Sequence, residues 1–564
     1  MPACLTGGRL FKPTGDMVGP RDAISSAPTE GLLIKGPDSL FGPRLPLILS
    51  GILLLAAGLR FWGIDYGLPQ FLFPDESKYI RLAQTYLKDH RVVNPHYYLN
   101  PPFFSHVVLG TVALLDSLHV PIGERDQLVI VSRILSAFLG SLSVLLLFLI
   151  GRPLSGKRVG LVAASLLAVN FLAVRSSHQG VNDMIMLTLL LLCIYAFVRG
   201  TSGELAAAKL HRGMALAALI GGIGVSTKYN AAIGLVPVGV FMLLRWGGWI
   251  RAGLLGQRRS AMLREAGTLV GWFVLGVLAG NPWILDTPKE VWEGFSLQMD
   301  VAEECWPGQE LTPMSLQVAK ALAQGSGVAI LLLAGFGVVL VARGRHLALQ
   351  LITLMTLVYL AYFAFVSKAL FARFLIPSLP GICLLAAISI ERLASCVTSR
   401  FRTAFLVALV GLSLSQPLYN SLRHLRILSQ PDTRTSAAQW AVRHIPPTSD
   451  RYHLLRKDVL SLHRFGFRES QPARLWPDRR FERGYYLVTS LDLREGCVNV
   501  LDIQVNKLIQ LLFQQGVIVY HDNPAQRYSG PTIQENRYSP YYELGTIDRG
   551  GPEVWIIKVE GSSE

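Results

Sequence analysis

The chain has 564 residues, of which 51% are hydrophobic and 16% charged, against roughly 25% charged in soluble domains. Long apolar runs recur from Leu45 to Tyr419, which excludes an ordinary soluble protein and predicts a polytopic α-helical membrane protein. The formal net charge is +15, but the basic residues cluster between the apolar runs, as positive-inside loops do, and no nucleic-acid partner is implied.

Residues 1–44 are rich in Gly, Pro and Ser and lack apolar periodicity, so they read as a flexible cytoplasmic tail. No small-residue cleavage site follows the first apolar run, which reads as a retained anchor rather than a removed signal peptide. Spans are expected at 45–62, 128–150, 159–174, 183–199, 213–226, 230–245, 266–281, 326–342, 347–366, 374–391 and 403–419, about eleven in all. The run Phe103–Leu118 is ambiguous, being short and carrying His106 and Asp116.

Parity decides its placement. Basic groups at Arg152 to Arg158, Arg199 to Arg212, Arg245 to Arg264, Arg343 to Arg345 and Arg392 to Arg402 all become cytoplasmic only if Phe103–Leu118 does not cross. That segment is therefore expected to lie on the outer face as an interfacial helix, inside an outer loop of residues 63–127. Beyond Tyr419 the charge is dispersed. Helices are expected at Arg434–His444 and Val505–Gln515, and strands at Tyr485–Ser490, Val517–His521 and Val554–Val559. Residues 421–564 thus read as an extracytoplasmic α/β domain, and 45–420 as the membrane module. Of the six cysteines, only Cys305 and Cys497 fall on the outer side, and free thiols are expected ahead of a disulfide.

The outer face collects the unusual residues. Asp75 and Glu76, in Phe73-Pro-Asp-Glu-Ser-Lys-Tyr79, open a helix over Asp75–His90. Carboxylates there can simply cap it, yet two adjacent carboxylates beside a bilayer are costly unless they act. The segment Tyr97-Tyr-Leu-Asn-Pro-Pro102 follows. Asp183 stands at the outer start of a span, after Ser176-Ser-His178-Gln-Gly-Val-Asn182, and could likewise be a helix-start carboxylate. Lys228 and Arg373 lie on the side opposite the basic loops. Snorkelling or interface anchoring would satisfy each alone, but cations beside carboxylates fit an anionic ligand such as phosphate. Arg133 lies within a span and needs a partner or a cavity.

These motifs, in this order along residues 45–420, resemble the glycosyltransferase-C superfamily: Phe73-Pro-Asp-Glu, Asn100-Pro-Pro102, Arg133, His178 with Asp183, Thr227-Lys228 and Ala372-Arg-Phe-Leu-Ile-Pro377. Bacterial protein O-mannosyltransferases and lipid A aminoarabinose transferases form the nearest branch. Asn100 replaces the His or Lys frequent there, and Tyr229-Asn230 replaces Gly-Pro.

The resemblance implies a polyprenyl-phosphate-linked sugar donor, a hydroxyl acceptor on a protein, lipid or glycan, inversion at the anomeric carbon, and an extracytoplasmic site in the bacterial inner membrane. Asp75 is then the expected general base. Glu76 and the low-dielectric boundary are expected to raise the pKa of the pair. Asp183 would orient the acceptor or support the base. Lys228 and Arg373 would stabilise the leaving phosphate, with Arg133, His178 and Tyr97 binding substrate. Glu76, His178 and Asp183 are the candidate ligands of a possible divalent metal, no cofactor being required. The competing readings are a secondary transporter of an anionic substrate and a non-catalytic membrane scaffold.

Overall fold

The computed structural model describes residues 44–68, 73, 75–202, 207–303, 312–445, 451–454, 469–470, 481, 483–490, 500–524, 541–542 and 544–560. The tail expected over 1–44, apart from Arg44, and the residues Cys305 and Cys497 lie outside them. Cys193, Cys383 and Cys396 are free thiols.

Helix α1 (Leu45–Phe61) starts the bundle, with a proline in its first turn. Two helices that pack on each other, α2 (Glu76–Asp89) and α3 (Phe103–Ser117), follow it. Tyr79, Ile80 and Ala83 of α2 meet Phe104, Val108 and Val112 of α3 in one buried cluster. The long α4 (Arg125–Ser155) begins in a capping box formed by Glu124 and Gln127 and supplies Leu128 and Val129 to the same cluster.

The run expected at 159–174 is broken. Its halves, α5 (Lys157–Val169) and α6 (Phe171–Ser177), meet at 56°. Asn170 causes the break: its side chain caps α6 by accepting from the Ala173 amide, and its amide group donates to Ser326. The freed carbonyls at the end of α5 go to Arg60 of α1, which donates to Ala168 O at 2.8 Å and Leu167 O at 3.2 Å. A fully buried arginine thus supplies the donors that the last turn of α5 lacks.

Next come α7 (Asp183–Thr201) and α8 (Ala207–Val225), then a 3-10 turn, Tyr229–Leu235, that leads into α9 (Val236–Arg251). After α10 (Leu255–Gly280) stand two helices not expected from the sequence, α11 (Pro288–Glu303) and α12 (Met314–Ser326). Gly327, at φ +89°, turns the chain by 111° from α12 into α13 (Val328–Arg343). The bundle closes with α14 (Leu347–Phe365), a second 3-10 turn (Ala372–Ser378), α15 (Leu379–Ser395) and α16 (Ser399–Leu428).

Among the described residues, seven helical segments are long and apolar enough to cross a bilayer, or nine when each bent pair counts as one span. The two remaining runs of the sequence reading are α1, which is shorter, and α8, which carries Lys209, His211 and Arg212 near its start.

Lipid is as apolar as the side chains, so close backbone approach at small residues holds such helices together. Gly222 of α8 and Gly276 of α10 mark one crossing: a Cβ on Gly222 would lie 2.2 Å from Phe273 O, and one on Gly276 2.1 Å from Leu219 O. Gly200 of α7 and Gly213 of α8 mark another.

The C-terminal part holds α17 (Thr433–His444), β1 (Arg451–Leu454), β2 (Glu469–Ser470), β3 (Gly484–Thr489), α18 (Val500–Gln515), β4 (Val517–Asp522) and β5 (Val554–Val559). One mixed sheet runs in the order β2-β1-β3-β5-β4. Alternation decides its two faces. Leu487, Val554 and Ile556 pack on α17, whereas Tyr486, Val488, Ile557 and Val559 pack on α18.

This part also reaches into the bundle. Tyr541 is fully buried there, donating to Ala321 O of α12 at 2.6 Å and stacking on Phe171 of α6 with ring centroids 5.2 Å apart. Arg423 of α16 donates to the carbonyls of Leu544 and Ile547.

Candidate functional site

The sequence-predicted charges gather at one end of the bundle. Asp75 stands just before α2 yet does not cap it. Its Oδ2 accepts from Arg373 Nη2 at 3.0 Å and its Oδ1 from Lys78 Nζ at 2.8 Å. Arg373 comes from the 3-10 turn before α15, with its guanidinium 5.7 Å from the ring centres of both Phe73 and Phe371. Asp183, the first residue of α7, accepts from Lys228 Nζ at 2.6 Å, and Lys228 Nζ lies 5.2 Å over the Phe374 ring. Lys228 is placed by the turn after α8, where Asn182 donates to Thr227 O. Arg373 and Phe374 are adjacent, so both carboxylate–cation pairs share one wall.

Exposure grades across them. The Asp75 and Arg373 side chains are 26% and 22% exposed, Lys228 14%, and Asp183 only 1%. The cluster thus runs from a partly exposed side, at Asp75 and Arg373, to a buried one, at Asp183. Tyr97 borders the exposed side, its ring 5.5 Å from Lys78 Nζ.

Electrostatics reverse one expectation. Burial pushes the Asp75 carboxyl up, but Arg373 and Lys78 outweigh it and hold the group at about 2. Glu76, expected to raise it, faces the other way. Both Glu76 oxygens accept from Arg133, at 2.7 and 2.8 Å, and both side chains are fully buried. Gly180 N donates to the same carboxylate, and Arg133 Nη1 donates to Ile64 O and Tyr66 O.

Glu76 and Arg133 therefore form a brace joining α2, α4 and the loop before α7, rather than a catalytic carboxylate and a substrate cation. His178 is also withdrawn from the cluster. It is 1% exposed, with Nδ1 2.9 Å from Val174 O and Nε2 2.9 Å from Trp62 O.

The proposed metal ligands do not fit a cation. Glu76 is spent on Arg133, and both nitrogens of His178 face carbonyls. Only Asp183 Oδ2 lacks a protein partner. Among the described residues no three His, Cys, Asp or Glu side chains converge as a ligand set.

The sequence reading missed Lys78, although its i,i+3 spacing from Asp75 was a usable signal. It also missed the chain Asn230–Tyr359–Phe374, in which Asn230 Nδ2 donates to Tyr359 Oη and Tyr359 donates to Phe374 O. No local pattern announces that chain, because its members lie far apart in sequence. At the opposite end of the bundle, Arg158 and Arg402 converge on Glu391, and Arg245 and His211 on Glu265.

Known proteins agree with this architecture. Residues 119–255 match the family model described as dolichyl-phosphate-mannose-protein mannosyltransferase. A comparison with curated proteins gives no sequence match. Among solved structures, the chain is similar to the apo oligosaccharyltransferase of Archaeoglobus fulgidus, with a TM-score of 0.52, 13% identity and 76% of this chain covered. It spans 65% of that relative's length. It is also similar to ArnT of Cupriavidus metallidurans bound to undecaprenyl phosphate, with a TM-score of 0.51, 12% identity, and 93% of this chain and 100% of ArnT covered. Such identities speak for the fold. The chain thus shares the fold of these membrane proteins, and its residues 119–255 are similar to the mannosyltransferase family.

Proposed function

We propose that the chain is a glycosyltransferase that moves a sugar from a polyprenyl-phosphate donor to a hydroxyl acceptor at the extracytoplasmic face of a bacterial inner membrane, with inversion. The observation that carries this reading is the cluster of paired charges. Two carboxylates from separate loops, Asp75 and Asp183, each hold a cation from a third and fourth segment, Arg373 and Lys228. A phosphate entering the cluster competes with the carboxylates for those cations.

The chemistry follows from that competition. The donor phosphate takes Arg373 and Lys228, which then stabilise the charge it gains on leaving. Asp75, losing Arg373, becomes a stronger base and accepts the proton of the attacking hydroxyl. The acceptor oxygen bonds to the anomeric carbon as the bond from that carbon to the phosphate oxygen breaks, and the polyprenyl phosphate departs with the electron pair. Asp183 Oδ2 faces the substrate and orients it.

The placement of sides rests on the charge pattern. The arginine clusters around Glu391 and Glu265 lie at the other end of the bundle, as cytoplasmic loops require. On this reading about eleven spans cross, residues 63–127 form the outer loop with α3 along the surface, and residues 421–564 form the outer domain that presents the acceptor. ArnT bound to undecaprenyl phosphate supports a lipid-phosphate donor by analogy. Hexosyl and pentosyl donors both suit the site.

The test is transfer by purified protein from polyprenyl-phosphate sugars in lipid nanodiscs. Wild type is expected to transfer, and Asp75→Asn to lose roughly 100-fold or more. Undiminished transfer by Asp75→Asn removes the base assignment, and a wild type that transfers nothing favours a transporter or a scaffold.

A further inference from the structure

Two residues past Lys228, Asn230 enters the 3-10 turn that leads into α9. Its Nδ2 lies 2.8 Å from Tyr359 Oη, and the Tyr359 hydroxyl lies 2.6 Å from Phe374 O. A carbonyl only accepts, so the single phenolic proton is committed to it. Tyr359 Oη can then only accept from Asn230, which fixes the amide with its nitrogen toward Tyr359 and its oxygen away. That oxygen, Oδ1, is buried and meets no donor from the protein.

Asp183 repeats the situation: Oδ1 accepts from Lys228, whereas Oδ2 is buried without a donor. The two orphans belong to one construction. Lys228 bonds Asp183 and lies over the Phe374 ring, and the Phe374 carbonyl anchors the Tyr359 that fixes Asn230. Buried acceptors without donors have lost their water and gained nothing in return. Phosphate, itself an acceptor, cannot serve them. Hydroxyl groups, or an ammonium, can.

Resting on the transferase reading above, we propose that Asn230 is a specificity-determining residue. Its Oδ1 accepts a hydrogen bond from a hydroxyl or amine of the donor's sugar, while Asp183 Oδ2 accepts a second. The site then has two halves. Arg373 and Lys228 take the phosphate, and Asn230 with Asp183 reads the sugar beside it. Asn230 therefore adds affinity for a sugar-bearing lipid and none for the bare lipid phosphate.

The experiment measures binding of four lipids to full-length protein in nanodiscs: decaprenyl phosphate, and decaprenyl phosphate carrying mannose, arabinose or 4-aminoarabinose. Wild type is expected to bind at least one sugar-bearing lipid more tightly than decaprenyl phosphate. Asn230→Leu is expected to lose about tenfold for that lipid, the order expected of one hydrogen bond, with decaprenyl phosphate bound as before. Tyr359→Phe, which keeps the ring and frees the amide, is expected to lose part of the same gain and guards against a folding defect in Asn230→Leu. A gain retained in both variants, an equal loss for bare and sugar-bearing lipids in Tyr359→Phe, or a wild type that binds decaprenyl phosphate with no gain for any sugar overturns the assignment. A wild type that binds none of the four sinks the transferase reading itself.

Discussion

Asp75 and Glu76 are neighbours in sequence and opposites in environment. Asp75 is partly exposed and pairs with Arg373 and Lys78; Glu76 is sealed against Arg133. Removing one partner of a buried pair leaves an uncompensated charge, at about 3–5 kcal/mol. Glu76→Gln is therefore expected to lower the thermal midpoint markedly, and Asp75→Asn, partly exposed, to lower it less; thermal unfolding in detergent separates the two. The pH response has a definite sign. The folded pKa of Asp75, about 2, lies below its ordinary 3.8, so its ion pairs contribute stability above the ordinary value and lose it as pH falls through about 2. With Arg373→Gln, burial is opposed by Lys78 alone and the pKa rises. The acid limb of kcat/KM in that variant is expected at higher pH than in wild type, and an unmoved limb means Asp75 is not the titrating base. The identities Asp75, Asp183, Lys228 and Arg373 were legible because charges at the borders of apolar runs stand out. Their pairing was not, since Asp75 and Arg373 are nearly 300 residues apart and nothing local to either favours the other. The pKa was misjudged for the same reason: the adjacent carboxylate was visible and the distant guanidinium was not.

At the scale of elements, apolar periodicity placed the long apolar helices, but it is blind to where such a run breaks. Asn170 interrupts a run, 159–174, whose hydropathy continues through it, whereas Gly327 stands at the start of the run 326–342. Arg60, near the end of α1, drew no notice in the sequence, yet it holds the carbonyls of Leu167 and Ala168. Helices α11 and α12 escaped notice because neither is apolar enough to read as a span. The crossing of α8 and α10 allows a sharp test. At Gly222 a Cβ would meet backbone atoms, Phe273 O at 2.2 Å and Val277 N at 2.8 Å, which cannot step aside as a flexible side chain would. Gly222→Ala is expected to cost about 1–3 kcal/mol, the range of overpacked cores. The paired control Gly271→Ala, with nothing within 4 Å, is expected to be near neutral. Equal melting of the two variants contradicts the crossing. Because α8 ends five residues before Asn230 and two before Thr227, loss of this contact is expected to loosen the turn that carries Lys228.

The whole molecule is a helical bundle with a mixed sheet grafted to it. Two helices and three strands of the C-terminal part were legible from their periodicities; β1 and β2 were too short to register, and sheet order depends on pairings no single segment specifies. Least foreseeable was the insertion of Tyr541. Tyr541→Phe removes one hydrogen bond, to Ala321 O, and is expected to cost about 1 kcal/mol. Tyr541→Ala also leaves a hole beside Phe171 and is expected to cost about 3–5 kcal/mol. Hydrogen exchange over residues 171–183 is expected to rise in Tyr541→Ala, and unchanged protection there means α6 stands without it. The insertion bears on how the protein is made. Helices α6 and α12 precede Tyr541 in the chain, so the contacts with Phe171 and Ala321 close only once a residue made long after both has been added.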